Sequence, residues 1–129
     1  MKFPMNIFFD VDNTLIMWDG KLRNHSEEVF QKILEDGHTI YIWSGIGIRK
    51  KEIEKVELDK YVTNYFIKPL YDHRARLPKL GVNIEIDYVI DDHESVVQVF
   101  GGYHIPDIAK EDDDELIKVL NDIREKNKK

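Results

Sequence analysis

The chain has 129 residues, carries a formal net charge of −6 and is 42% hydrophobic and 34% charged, which suits one domain over residues 1–129 and excludes disordered and membrane-embedded classes. It has no cysteine, so disulfides, thiolate metal sites and cysteine nucleophiles are excluded, and its acidic balance gives no indication of nucleic-acid binding. No apolar run reaches the ~18 residues that span a bilayer, and Met1-Lys2-Phe3-Pro4 opens no apolar signal segment, so no membrane partner and a cytoplasmic location are expected.

Residues 5–9, M-N-I-F-F, read as a buried strand that runs into Asp10-Val11-Asp12. Side chains of an extended chain alternate, so the two carboxylates face one small volume if strand geometry persists to Asp12. Like charges that close repel unless a cation sits between them. From Ser26 to Asp36 the residues Val29, Phe30, Ile33 and Leu34 recur at helical spacing, with Ser26 as N-cap and Gly37 as the stop. Glu27 and Glu28 fall in the favourable first turn. Residues 38–43, H-T-I-Y-I-W, form a second buried strand that ends in Ser44-Gly45. A short charged helix over 49–58 turns Ile53, Val56 and Leu58 inward. Residues 61–67 make a third strand, broken at Lys68-Pro69, and a helix around 72–80 ends at Gly81. Residues 86–90 are a fourth buried strand that runs into Asp91-Asp92, and a short strand near 103–105 follows Gly101-Gly102. The last helix covers about 112–126, with Leu116, Ile117, Leu120 and Ile123 on one side.

Strands that alternate with helices predict an α/β fold, a doubly wound parallel sheet with helices on both faces. In such sheets a ligand sits beyond the carboxyl ends of the strands. Asp10, Asp12, Ser44, Lys68, Asp91 and Asp92 all terminate strands, so they converge at that edge. Carboxylates, a hydroxyl and a lysine in one crevice suit a hard cation together with a phosphate. Mg²⁺ takes oxygen ligands, usually one or two carboxylates with waters and phosphate oxygens. A carboxylate can then attack phosphorus, while Ser44 and Lys68 hold the equatorial oxygens.

The strand-end residues carry a resemblance. D-V-D-N-T at 10–14 is similar to the D-x-D-x-T signature of the haloacid dehalogenase superfamily. Ser44 in I-Y-I-W-S-G, then Lys68, then Asp91-Asp92 in Y-V-I-D-D follow in that family's order. The resemblance spans roughly residues 5–105 and implies a phosphatase that uses Mg²⁺ and forms an aspartyl-phosphate. It implies Asp10 as nucleophile and metal ligand. It gives Asp12 the role of general acid and then base, with its backbone carbonyl on the metal. Thr14 supports the turn after the first strand and stands with Ser44, Gly45 and Trp18 as a candidate substrate-binding residue. Ser44 binds the phosphoryl group and Lys68 neutralises nucleophile and phosphate. Asp91 coordinates Mg²⁺, directly or through water, and Asp92 assists, so Asp91 ranks first as the metal contact. Lys79 in R-L-P-K-L lies nearer the acidic pair than Lys68, but Lys68 opens a Lys-Pro pair at a predicted strand end and is preferred.

Thr14 to Ser26 leaves room only for a flap, and Gly45 to Ile67 only for a helix and a strand. The resemblance therefore implies a member without a cap domain. Its open site admits a phosphorylated small molecule or macromolecule, or is covered by a second copy of the chain. Met17, Trp18 and Asp19 in the flap are placed to touch the leaving group, with Trp18 either a contact or a cover.

Two other functions fit parts of the pattern. One is a scaffold of this family that only binds phosphate or a partner. The other is a receiver-type phosphoacceptor domain, but that class carries its acidic pair after the first strand and its lone aspartate after the third, the reverse of this order. His25, His38, His73, His93 and His104 show no metal-ligand spacing and read as surface or loop residues; His93, beside the acidic pair, is the one positioned to line the site. Trp43 reads as core. The run E-D-D-D-E at 111–115 reads as a solvated helix start that favours the dipole, the tail Lys126 to Lys129 as the basic end of that helix, and H-R-A-R at 73–76 as a solvated helix face.

Overall fold

Ile7, Phe8 and Phe9 are all fully buried, as expected of a strand covered on both faces. The structure is a computed structural model that describes residues 3–128; Met1 and Lys2 of the N-terminal segment and Lys129 of the basic tail lie outside the described residues. Five strands, β1 (Asn6–Phe9), β2 (Thr39–Ser44), β3 (Asn64–Ile67), β4 (Tyr88–Asp91) and β5 (Gly102–His104), form one sheet in the order β3-β2-β1-β4-β5. Every pairing is parallel. The helices are α1 (Ser26–Glu35), α2 (Lys50–Lys55), α3 (His73–Arg76), α4 (Glu94–Phe100) and α5 (Glu115–Lys126).

The period of two along β1 sorts the core into two layers. Ile7 and Phe9 pack with Phe30 and Ile33 of α1 and with Leu120 and Ile123 of α5. Phe8 faces the other way, against Trp43, Val89 and Phe100 of α4, with the Phe8 and Trp43 ring centroids 4.8 Å apart. This is the expected doubly wound sheet, and Trp43 is core as expected. Residues 10–25 join β1 to α1 and residues 45–63 join β2 to β3, so no cap domain is inserted at either point. No described helix is long and apolar enough to cross a membrane.

Local chemistry shifts several expected boundaries. Ser26 is the first helical residue and not the cap: His25 occupies the cap with φ 70°, while the Ser26 hydroxyl donates to the Arg23 carbonyl at 2.7 Å. Gly37 is the expected stop, with φ 93° and its N–H bonded to the Leu34 carbonyl. The third strand begins only at Asn64, because residues 59–61 wind a 3₁₀ turn first. The helix expected to Leu80 ends at Arg76, two residues before Pro78, which lacks an N–H. No bounds for α4 follow from pattern, since three valines in E-S-V-V-Q-V-F favour extended chain. His38 is buried, not a surface residue: its Nδ1 accepts the Met5 N–H at 3.0 Å, and burial holds the imidazole below its usual range.

β5 lies so close to β4 that a Cβ at Gly102 would stand 1.9 Å from the Val89 carbonyl oxygen, and its φ of 149° is open only to glycine. Gly102→Ala is expected to destabilise the fold by about 3 kcal/mol or more, read by urea denaturation. A midpoint within error of wild type would show that this edge can spread.

Candidate active site

Strand geometry ends at Phe9, and the chain then folds back on itself. Thr14, Leu15 and Ile16 all direct their backbone N–H groups to the Val11 carbonyl, and Asn13 takes φ 63°. Asp10 stays pinned to the sheet, its N–H donating to the Ile90 carbonyl at 3.0 Å. Its carboxylate accepts the Thr14 hydroxyl on Oδ2 and the Lys68 ammonium on Oδ1, each at 3.1 Å. Lys68 leaves the end of β3, where its N–H is held by the Ser44 carbonyl, and its long stem reaches past β2 to the ends of β1 and β4. There Nζ also donates to Asp91 Oδ2 at 2.9 Å. Asp10, Lys68, Ser44 and Asp91 are all buried.

Charge dominates this pocket. Asp10, Asp91, Asp92 and His93 each bring a ligand atom within 4.8 Å of the others. One ammonium cannot neutralise three carboxylates. Burial first, and then the charge of Asp91, push Asp10 up to about 8, against the opposing pull of Lys68. Burial also works against the Lys68 charge, but the two carboxylates outweigh it and hold that lysine above its usual range.

A divalent cation fits what remains. Lys68 leaves the charge of two carboxylates uncompensated, which matches a divalent ion. Asp91 already accepts on both oxygens: Lys68 donates to Oδ2, and the backbone N–H of His93 donates to Oδ1 at 2.9 Å. Asp92 Oδ1 is buried and has no hydrogen-bond partner among the described residues. Both acids of the pair lie in the cluster, and Asp92 is the one with an oxygen that has no hydrogen-bond partner among the described residues. Asp10 and Asp92 would hold the ion, which would screen their repulsion and draw in an anionic substrate.

Other expected site residues fall differently. The Asp12 carboxylate is outside the acidic cluster, because the strand stops before it; Asp12 turns outward, half exposed, and pairs with Arg49 Nη1. Any contact of Asp12 with a metal therefore belongs to its backbone. Thr14 is fully buried and spends its hydroxyl on Asp10, which takes it out of the substrate-binding set. Ser44 Oγ accepts the Ile46 N–H at 3.3 Å, and Gly45 lies under Leu70, whose Cδ2 would stand 2.3 Å from a Cβ there. Trp18 is 84% exposed and lines a cleft of about 460 Å³ bounded by the flap and residues 109–111, away from the clustered acids. A smaller cleft of about 220 Å³ adjoins the cluster, lined by Lys68, Leu70, His73 and His93. Lys79 lies exposed in the turn after α3.

Two arginines went unread in the sequence. Arg49 carried no signal beyond a charge at a helix start. Arg23 is buried behind the loop that follows Asp10. It donates from Nε to the Thr14 carbonyl at 2.8 Å and from Nη2 to the Asn13 and Pro106 carbonyls. Its charge is met by Asp113 at 3.0 Å, so the acidic run is not wholly solvated as expected.

The fold and these side chains define a class: an α/β domain with an open-faced, acidic, lysine-clamped site at the strand ends. A family model for haloacid dehalogenase-like hydrolases matches residues 7–73, and the chain belongs to that family. The match includes Asp10, Asp12, Ser44 and Lys68; Asp91 and Asp92 lie beyond it. Curated proteins gave no match.

In the metal-free protein the unfolded chain loses the Asp10 proton near 3.8 and the folded chain only near about 8. Stability from this group is full below that window and is lost as pH rises through it. Melting temperature in a chelator is expected to fall between about pH 5 and about pH 8, and to fall less in Asp10→Asn. Parallel slopes would mean that Asp10 is ionised throughout. Arg23→Met leaves Asp113 buried without its cation, and a loss of about 3–5 kcal/mol in denaturant titration is expected.

Proposed function

We propose that this chain is a Mg²⁺-dependent phosphohydrolase that acts on phosphomonoesters through an aspartyl-phosphate on Asp10. The observation that carries the reading is the Asp10 carboxylate, buried at the end of the central strand, gripped by Lys68 and Thr14 and set beside Asp91 and Asp92. Mg²⁺ held by Asp10 and Asp92 supplies the charge that lets a phosphate dianion approach an anionic site.

In the first step an Asp10 oxygen bonds to phosphorus as the bond to the leaving oxygen breaks. Asp12 gives that oxygen a proton; its carboxylate is half exposed, and it leaves its ion pair with Arg49 to do so. In the second step Asp12 takes a proton from water, and the water oxygen bonds to phosphorus and frees Asp10 with inorganic phosphate. Lys68 stays charged throughout and steadies the phosphoryl oxygens, as do the Ser44 hydroxyl and the backbone at Gly45. Asp91 serves by holding Lys68 in place.

Exposed apolar side chains lie on the loops that leave two neighbouring strands at this edge: Ile46 and Ile48 after β2, and Leu70 and Tyr71 after β3. They suit a phosphorylated substrate with a bulky leaving group, on a small molecule or a macromolecule, or a second copy covering the open mouth.

Turnover of phenyl phosphate is expected to require a divalent ion and to fall by roughly 10³-fold or more in Asp10→Asn. Asp12→Asn is expected to slow phenyl phosphate more than p-nitrophenyl phosphate, whose leaving group needs less protonation. Undiminished turnover by Asp10→Asn would remove the nucleophile assignment. A phosphoprotein that persists without hydrolysis would favour the phosphoacceptor alternative.

A further inference from the structure

We propose that His93 is a nitrogen ligand to the metal ion of this site and shifts its preference from Mg²⁺ towards Mn²⁺ and Co²⁺. The inference rests on the metal site of the phosphohydrolase reading and adds a donor that Mg²⁺ does not call for. The ring atom Nδ1 of His93 stands 3.3 Å from Asp91 Oδ1 and 3.3 Å from Asp92 Oδ1. It is one of the four ligand atoms that gather within 4.8 Å.

Two features of Asp92 point to a cation at that spot. Its side chain is only 8% exposed, and its Oδ1 has no hydrogen-bond donor among the described residues. Its backbone is fixed from the other side, where His104 Nε2–H donates to the Asp92 carbonyl at 3.0 Å. The His93 backbone is tied to the same acids through its N–H to Asp91 Oδ1. The His93 ring itself is 68% exposed, so Nε2 can carry its proton in water while Nδ1 offers a lone pair inward.

The chemistry of that donor set is selective. Mg²⁺ prefers an octahedron of oxygens and gains little from imidazole. Mn²⁺ and, more strongly, Co²⁺ accept imidazole beside carboxylates. A site made only of Asp10 and Asp92 would rank these ions mainly by size and charge. With His93 in place the ranking tilts towards ions that bind nitrogen.

The test uses the full chain and the metals alone. Electron spin-echo spectra of the Mn²⁺-loaded protein are expected to show nitrogen modulation that disappears in His93→Ala. In calorimetric titrations His93→Ala is expected to weaken Co²⁺ by about tenfold or more, and Mg²⁺ by less than about threefold. His93→Gln, polar and of similar length, is expected to behave as His93→Ala does, and circular dichroism checks that both fold. Absent nitrogen modulation in wild type, or equal losses for Co²⁺ and Mg²⁺, would overturn the proposal. Asp92→Asn separates this failure from that of the underlying site: it should weaken all three ions, and undiminished binding there would remove the metal site itself.

Discussion

Lys68 draws two carboxylates from neighbouring strands, Asp10 and Asp91, onto one ammonium, with a third, Asp92, beside them and out of its reach. Buried charge without a counter-charge costs several kcal/mol per ion, so this arrangement is tolerable only if protons or cations complete it. Without metal, burial and the charge of Asp91 favour the protonated form of Asp10. With a divalent ion, the same oxygens become ligands. The crowding that destabilises these carboxylates is what would suit them to a cation.

The rest of the architecture keeps that crowding from relaxing. Asp10 and Asp91 sit on paired strands, so β1 and β4 cannot separate without breaking the parallel ladder. The loop after Asp10 is held from behind by Arg23, whose donors reach the carbonyls of Asn13, Thr14 and Pro106. Asp113, from just before α5, balances that arginine in turn. A helix far along the chain thereby secures the loop that positions Asp12 and Thr14. Rigid support of this kind matters because a site is only as well defined as the groups behind it.

Much of the fold was legible because its signals are short-ranged. Ile7, Phe8 and Phe9 announce a doubly covered strand, and Val29, Phe30 and Ile33 announce a helix. Asp10, Ser44, Lys68 and Asp91 were placed correctly at the strand ends because each directly follows or closes an apolar run. Asp12 was misread where one assumption, that strand geometry persists, failed at Phe9. α4 was unreadable because its valines favour the other state locally and only packing against Phe8 and Trp43 makes the helix worthwhile.

By itself the sequence determined the alternation of strands and helices, the edge at which polar residues gather, and the short spacing that leaves no room for a cap. Those follow from periodicity and chain length, which act between near neighbours. Tertiary structure alone decided that the Asp12 carboxylate leaves the acidic cluster, that Asp92 keeps an oxygen without a hydrogen-bond partner among the described residues, and that Arg23 pairs with Asp113. Such choices depend on which side chains meet across long stretches of chain, up to ninety residues for Arg23 and Asp113, and hydrogen bonds and ion pairs at such separations leave no trace in local pattern.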